Sequence, residues 1–248
     1  MKGMGKPVAE LETNLEILPK TRMTPIILIT GAARGIGFAA AKQLAARGAT
    51  VIIGSRDAQR AAEAAAKLGV SSVEIDITDP ASIDAAVKQI ELQHGRLDVL
   101  ANNAAILLDH YQSLMELKPE VLLDTLNTNV VGTLRVSQAF APLLARSSAP
   151  RIINVSSGAG QLDGEPQAWA PAYCISKTAV NMLTQQFTAA LPDVMVNSMC
   201  PGWCRTEMGG SDAPCTADEG ADTLVWLALD APHDLRGRFV KNRTVIAW

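Results

Sequence analysis

Aromatic residues make up only 4% of this 248-residue sequence, histidines number 3, and basic residues do not outnumber acidic ones. Each shortage closes off a class of function. A sequence-independent nucleic-acid binder draws most of its affinity from neutralising phosphates, yet Lys+Arg 22 against Asp+Glu 25 leaves a formal net charge of −3. So few aromatic rings also leave little from which to build a base-stacking platform. Cys174, Cys200, Cys204 and Cys215 form no Cys-x-x-Cys pair, and His94, His110 and His233 are scattered. Neither a zinc site nor a disulfide framework emerges, so no metal is expected. Reduced thiols of this kind point to a cytoplasmic chain. No apolar run nears the ~20 residues that span a bilayer. Residues 1–24 also lack the run of about 7–15 apolar residues of a signal peptide. They read as a flexible extension, with Met23 as an alternative start.

What the sequence has in quantity is aliphatic side chain. Hydrophobic residues reach 48%, enough for one sizeable core. From Pro25 onward short apolar runs alternate with longer amphipathic stretches. Strands are expected at Ile26–Thr30, Thr50–Gly54, Ser72–Ile75, Leu97–Ala101, Arg151–Val155, Val194–Met199 and Arg238–Val240. Helices are expected at Gly35–Arg47, Ala58–Leu68, Pro80–His94, Pro119–Arg146, Pro171–Leu191 and Ala217–Leu229. The strands are apolar on both faces, which argues for a parallel sheet covered on both sides. Residues 25–248 therefore read as one α/β domain of the doubly wound Rossmann type, with about seven strands.

In such sheets ligands bind beyond the carboxyl ends of the strands. The first strand runs into Thr30-Gly31-Ala32-Ala33-Arg34-Gly35-Ile36-Gly37, and Gly35–Ala40 fits the G-x-G-x-x-A dinucleotide fingerprint. Glycines let the backbone approach a pyrophosphate, and the following helix N-terminus favours its charge. About 20 residues further on, an acid would bind a ribose 2′-hydroxyl and an arginine a 2′-phosphate. Small Ser55 occupies the likely acid position here, followed by Arg56, with Arg34 as a second cation. Both favour NADP(H) as cofactor. Asp57 is the counter-signal, read as a cap for the second helix.

Tyr173 and Lys177 lie four residues apart on one face of an expected helix. An ammonium beside a phenol favours phenolate and brings a tyrosine closer to use as a proton donor and acceptor. Their setting then matters. The sequence resembles the short-chain dehydrogenase/reductase family, in its carbonyl-reductase-like branch. Thr30–Gly37 matches T-G-x-x-x-G-x-G, and Asn102-Asn103-Ala104-Ala105 matches N-N-A-G except at Ala105. Asn129, Asn154–Ser157, Tyr173–Lys177 and Pro201-Gly202 match further motifs in the family's order.

The resemblance implies a hydride-transferring enzyme acting on a ketone or aldehyde, or on the corresponding alcohol. Tyr173 would be the general acid/base, with Lys177 lowering its pKa and bonding the nicotinamide ribose. Ser157, rather than Ser156, would hold the substrate oxygen, and Asn129 would position a water linking Lys177 to solvent. Gly31, Arg34, Gly35, Ile36, Gly37 and Arg56 would contact the cofactor. So would Asp76, Ile77, Asn103, Ala104, Tyr173, Lys177, Pro201, Gly202 and Thr206. Asp98 matches a family acid but reads as structural. Fifteen residues separate Ser157 from Tyr173, including Gly164, Pro166 and Trp169, and could shape a substrate rim. Trp169, Trp203 and Met208 are candidate apolar walls.

The family builds dimers and tetramers through its long helices, while some carbonyl reductases are monomers, so a homo-oligomer stays open. A fold does not fix a function, and an NADP(H)-sensing regulatory protein is the alternative. Such a protein would be expected to have lost a catalytic residue, and none is lost here. A ketoacyl-carrier reductase would want a basic surface, which the net charge of −3 does not encourage.

Overall fold

Ile26–Thr30 (β1) has every residue buried, as a strand covered on both faces must. Its side chains divide by alternation. Ile27 and Ile29 enter one apolar cluster, and Ile26 and Leu28 enter another on the opposite side of the sheet. In the computed structural model, which describes residues 24–165 and 169–248, β1 lies inside an eight-stranded sheet. The extension expected at residues 1–24 lies, apart from Thr24, outside the described residues.

The other strands are Thr50–Ser55 (β2), Ser71–Glu74 (β3), Val99–Asn102 (β4), Arg151–Val155 (β5), Met195–Met199 (β6), Phe239–Lys241 (β7) and Thr244–Ile246 (β8). Their order is β3-β2-β1-β4-β5-β6-β7-β8. The chain builds outward one way from β1 to β3 and then returns to start β4 on the other side of β1. The reversal opens a crevice at the carboxyl ends of β1 and β4, where such sheets bind ligands.

The described residues include the α-helices Gly35–Ala46 (α1), Ala58–Leu68 (α2), Pro80–His94 (α3), Pro119–Leu126 (α4), Thr133–Leu144 (α5), Pro171–Ala190 (α6) and Ala217–Leu229 (α7), of which all but α4 cover the faces of the sheet. α1, α2 and α7 close the Ile27 side, and α3, α5 and α6 close the Leu28 side. Asp57 caps α2 as expected, accepting the Arg60 N–H at 3.0 Å. Asp98 is structural, accepting the Ile26 N–H at 2.8 Å.

Two expectations need correction. The single helix expected over Pro119–Arg146 is broken by a π-helical segment, Asn127–Gly132, between α4 and α5. The sheet gains an eighth strand, antiparallel to β7. The two are joined by Asn242 and Arg243 at φ of 49° and 59°, the left-handed values a tight hairpin requires.

A polar chain runs through the core between the layers. Asn102 on β4 donates to Ser137 on α5 at 2.9 Å and to Asn154 on β5 at 2.8 Å. Asn154 donates to Thr184 on α6 at 2.9 Å, and Thr184 meets Ser198 on β6 at 2.7 Å. All five residues are buried, and these bonds satisfy groups whose burial would otherwise be costly.

Candidate active site

The glycine loop after β1 is shaped by what no side chain would fit. A Cβ on Gly31 would fall 2.8 Å from the Ala104 Cα, and one on Gly37 only 2.6 Å from the Asn103 Nδ2. The loop and the β4 end are tied together. Thr30 Oγ1 accepts the N–H groups of Asn103 and Ala104, and Asn103 Nδ2 donates to the Thr30 carbonyl at 2.9 Å. Asn103 and Ala104 thus brace the loop. α1 starts with no side-chain cap and no acid in its first turn, with Ile36 as its second residue. Its free N–H groups and dipole suit an anion.

At the base-selecting end, Ser55 Oγ accepts the Asp57 N–H at 3.2 Å, and Arg56 is exposed. Asp57 is committed to its cap. The carboxylate of Asp76, beyond β3, accepts both the Thr78 N–H (2.8 Å) and the Thr78 hydroxyl (2.7 Å). Burial pushes the Asp76 pKa up, but these bonds and the nearby Arg56 charge outweigh it and hold the group below its ordinary value. Ile77 packs where Gly132 leaves room. Arg34 differs from expectation as a free second cation, because its guanidinium pairs with Glu207 from the loop after β6.

Tyr173 and Lys177 occupy the buried face of the first turns of α6, 8% and 3% exposed. The Ser157 side chain lies close enough to the Tyr173 hydroxyl to favour its ionised form. Ser157 Oγ accepts the Ala159 N–H at 3.1 Å, holding the short 3₁₀ turn Gly158–Gly160. Neighbouring Ser156 turns away and donates to the Lys177 carbonyl, so Ser157 is the serine at the tyrosine. Lys177 Nζ donates to the Val155 carbonyl at 2.8 Å and lies 5.4 Å from the Tyr173 ring centroid.

Here the electrostatics reverse one expectation. Burial raises the Tyr173 pKa well above its ordinary value, and the Ser157 side chain only partly opposes it. Burial also lowers Lys177 to about 8. The ammonium faces the ring and a carbonyl, and desolvation dominates both groups. Tyr173 is accordingly a neutral phenol, able to donate.

Asn129 lies in the π-helical segment with its side chain fully used. Its Oδ1 accepts the Ile106 N–H, and its Nδ2 donates to the Ile106 carbonyl and to Ser176 on α6. Its backbone carbonyl accepts the Thr133 hydroxyl at 2.8 Å.

Around this centre stand the loops after β4, β5 and β6. Trp169 packs on Tyr173 with ring centroids 5.9 Å apart, and His110 on Trp169 at 6.0 Å. His110 Nε2 donates to the Met208 carbonyl at 3.2 Å, joining the β4 and β6 loops. Trp203 spends its indole N–H inside its own loop, on the Gly209 carbonyl at 2.7 Å, and is half-exposed. Thr206 approaches Gly35 across the crevice. Pro201 and Gly202 lead into this loop, Gly202 at a φ of 82°. Gly164 is an exposed part of the rim, and Pro166 lies outside the described residues.

Three contributors escaped the sequence reading: Glu207, His110 and Asp109, whose carboxylate accepts the Ala172 N–H at 2.6 Å. Among the described residues no group of His, Cys, Asp and Glu is arranged to hold a metal ion, and no helix is long and apolar enough to cross a membrane.

Residues 25–215 match the family model described as short chain dehydrogenase. The chain is similar to (+)-neomenthol dehydrogenase of Capsicum annuum, 29% identical over 87% of this chain and 94% of that protein. It is similar also to carbonyl reductase (NADPH) 1 of Sus scrofa, 30% identical over 91% of this chain and 94% of that one. Among solved structures, the NADPH-bound carbonyl reductase from chicken fatty liver superposes with a TM-score of 0.83. It is 30% identical, covering 91% of this chain and 99% of that one.

Proposed function

Since the chain belongs to the short-chain dehydrogenase family, we propose that it is an NADP(H)-dependent oxidoreductase that reduces a ketone or aldehyde, or oxidises the corresponding alcohol. The observation that carries this reading is the burial of Tyr173 and Lys177 together on the first turns of α6, the Lys177 ammonium over the Tyr173 ring and the Ser157 side chain close enough to act on the Tyr173 hydroxyl. The named relatives, a carbonyl reductase and a neomenthol dehydrogenase, support the same chemistry.

The residues fit the cofactor. The uncapped start of α1, behind a glycine loop packed tightly on Ala104 and Asn103, suits a pyrophosphate, and exposed Arg56 suits a 2′-phosphate. Arg34 would join Arg56 once released from Glu207. Asp76 and Ile77 would line the adenine, and Asn103 and Ala104 the adjoining ribose. Pro201, Gly202 and Thr206 would close over the nicotinamide end.

Bound NADPH supplies the hydride for the carbonyl carbon. Tyr173, held neutral by burial, gives its proton to the carbonyl oxygen as negative charge develops there. Ser157, beside the Tyr173 hydroxyl, donates to that same oxygen and sets its position. Lys177, charged below about pH 8, stabilises the phenolate left behind, and would hold the nicotinamide ribose. In the alcohol-oxidising direction each proton moves the opposite way.

Trp169, Trp203 and Met208, with His110 between the loops, favour a substrate of modest polarity. Exposed Leu123 on α4 and Ile175 and Met182 on α6 support self-association, which sedimentation would measure. The four free cysteines support a reducing, cytoplasmic setting.

The test is absorbance-monitored oxidation of NADPH and NADH against a panel of ketones and aldehydes. Turnover that prefers NADPH and is lost in Tyr173→Phe, with cofactor binding kept, is the expected result. Retained turnover in Tyr173→Phe would reject the assigned proton donor.

A further inference from the structure

α6 carries Tyr173 as its third residue, yet it begins without a cap of its own. Ala170, at the N-cap position, makes no side-chain bond, Pro171 has no N–H, and the first turn holds no acid. The start is also buried, with Ala170 and Ala172 both 0% exposed, so water cannot stand in for a missing acceptor. The acceptor comes from 63 residues earlier in the chain, where Asp109 Oδ2 takes the Ala172 N–H at 2.6 Å.

Asp109 is itself 0% exposed, and its other oxygen, Oδ1, is buried with no hydrogen-bond partner among the described residues. A carboxylate in such a place costs more than a neutral acceptor would. The positive end of the 20-residue helix offsets part of that cost. The same stretch is fixed a second time, since the Tyr111 N–H donates to the Trp169 carbonyl at 2.7 Å. Tyr111 holds a φ of 60° to do so, a left-handed value that non-glycine residues rarely adopt. The charge is felt one residue past the tyrosine. Burial first, and the Asp109 carboxylate after it, keep the Cys174 thiol above its ordinary range.

We propose that Asp109 is a positioning residue for carbonyl reduction: its buried carboxylate, bonded to the Ala172 N–H, fixes the first turn of α6 and so aims the Tyr173 hydroxyl at Ser157. The proposal rests on the reading of Tyr173 as proton donor. Asp109 acts through Tyr173 and has no part in holding cofactor. Losing the bond leaves the helix start held, among the described residues, by the Tyr111–Trp169 tie one turn back, and a small misplacement of a reacting group has a large effect on rate.

The experiment compares Asp109→Ala and Asp109→Asn with the wild type in kcat, NADPH affinity by fluorescence titration, and melting temperature. In Asp109→Ala, kcat should fall about 10- to 100-fold, while NADPH affinity stays within about twofold. Asp109→Asn restores an acceptor for the Ala172 N–H and should recover kcat to within about threefold of wild type. Should the alanine protein fail to fold, Asp109→Ser supplies a shorter acceptor, and an intermediate kcat with unchanged NADPH affinity is expected. Wild-type kcat in the alanine or serine protein overturns the proposal. So does an asparagine protein as slow as the alanine one while melting like wild type. These outcomes leave the proton-donor reading intact, whereas retained turnover in Tyr173→Phe overturns both.

Discussion

The Lys177 ammonium lies over the face of the Tyr173 ring, 5.4 Å from its centroid, and gives its hydrogen bond to the Val155 carbonyl. The pair therefore meets inside a pocket that penalises charge on either partner. The phenol is held neutral, and the amine loses its proton more readily than an exposed lysine does.

The first consequence is a pH limit on reduction. Lys177 loses its charge as pH rises past about 8, so kcat/KM for a carbonyl should decline above that point. Arginine stays protonated throughout this range. Lys177→Arg, measured over the same pH series, should lack the decline, whatever its absolute rate. An identical falling limb in that variant would assign the titration to another group.

Stability should move the opposite way. Between about pH 8 and 10.5 the folded protein holds fewer protons at Lys177 than the unfolded chain does. Stability rises with pH wherever the unfolded state binds more protons. Across that window the melting temperature of the wild type should therefore gain on that of Lys177→Met. A constant difference between the two proteins from pH 7 to 10.5 would contradict the buried, depressed amine.

Cofactor choice should divide between two arginines in different states. Arg56→Ala should raise the KM for NADPH about 10- to 100-fold and leave NADH nearly unchanged, as the loss of a charge-assisted phosphate contact implies. Arg34 is shared with Glu207, and both side chains are largely exposed. Such pairs are weak, so Glu207→Gln should lower the KM for NADPH only about two- to fivefold. Parallel titrations with both cofactors separate the two effects. An Arg56→Ala protein that weakens NADH equally would mean that Arg56 does not read a phosphate.

Gly160 gives a test of the frame behind the chemistry. A Cβ there would lie 2.6 Å from the Lys177 carbonyl carbon and 2.8 Å from the Thr178 nitrogen, both backbone atoms. Gly160→Ala must displace α6, at a cost of about 1–3 kcal/mol of stability. Because the displaced segment carries Lys177, kcat should fall along with the melting temperature. A variant that melts lower but keeps wild-type kcat would separate the frame from the catalytic residues.

The sequence made legible what local chemistry encodes. Strand runs such as Ile26–Thr30 needed only apolarity, and α7 at Ala217–Leu229 has the bounds its pattern implied. The motif residues Tyr173, Lys177 and Ser157 do come together. Features set by geometry across the chain were out of reach. The widening at Asn127–Gly132 keeps helical composition, so periodicity reads straight through it. β8 follows a turn at Asn242-Arg243 that has no glycine to announce it. Asp109 caps a helix that starts 62 residues later, where no local capping pattern extends. The sequence reading also gave Lys177 the larger influence over Tyr173, because burial cannot be read from a four-residue spacing.

The polar chain from Asn102 through Asn154 and Thr184 to Ser198 bears on how this molecule can change. Sliding any one of β4, β5 or β6 by a residue would strand several of these groups at once, so the layout of the central strands is locked by mutual dependence. The loops after β4 and β6 hang from the ends of those strands and take no part in that lock. Among the described residues they meet each other through the His110–Met208 bond. The protein is thus divided into a chassis that resists revision and a rim that can be exchanged. New substrate preferences should be reachable by rewriting the rim with Asp109 kept, because its bond to the Ala172 N–H ties the β4 loop to the start of the helix that carries Tyr173.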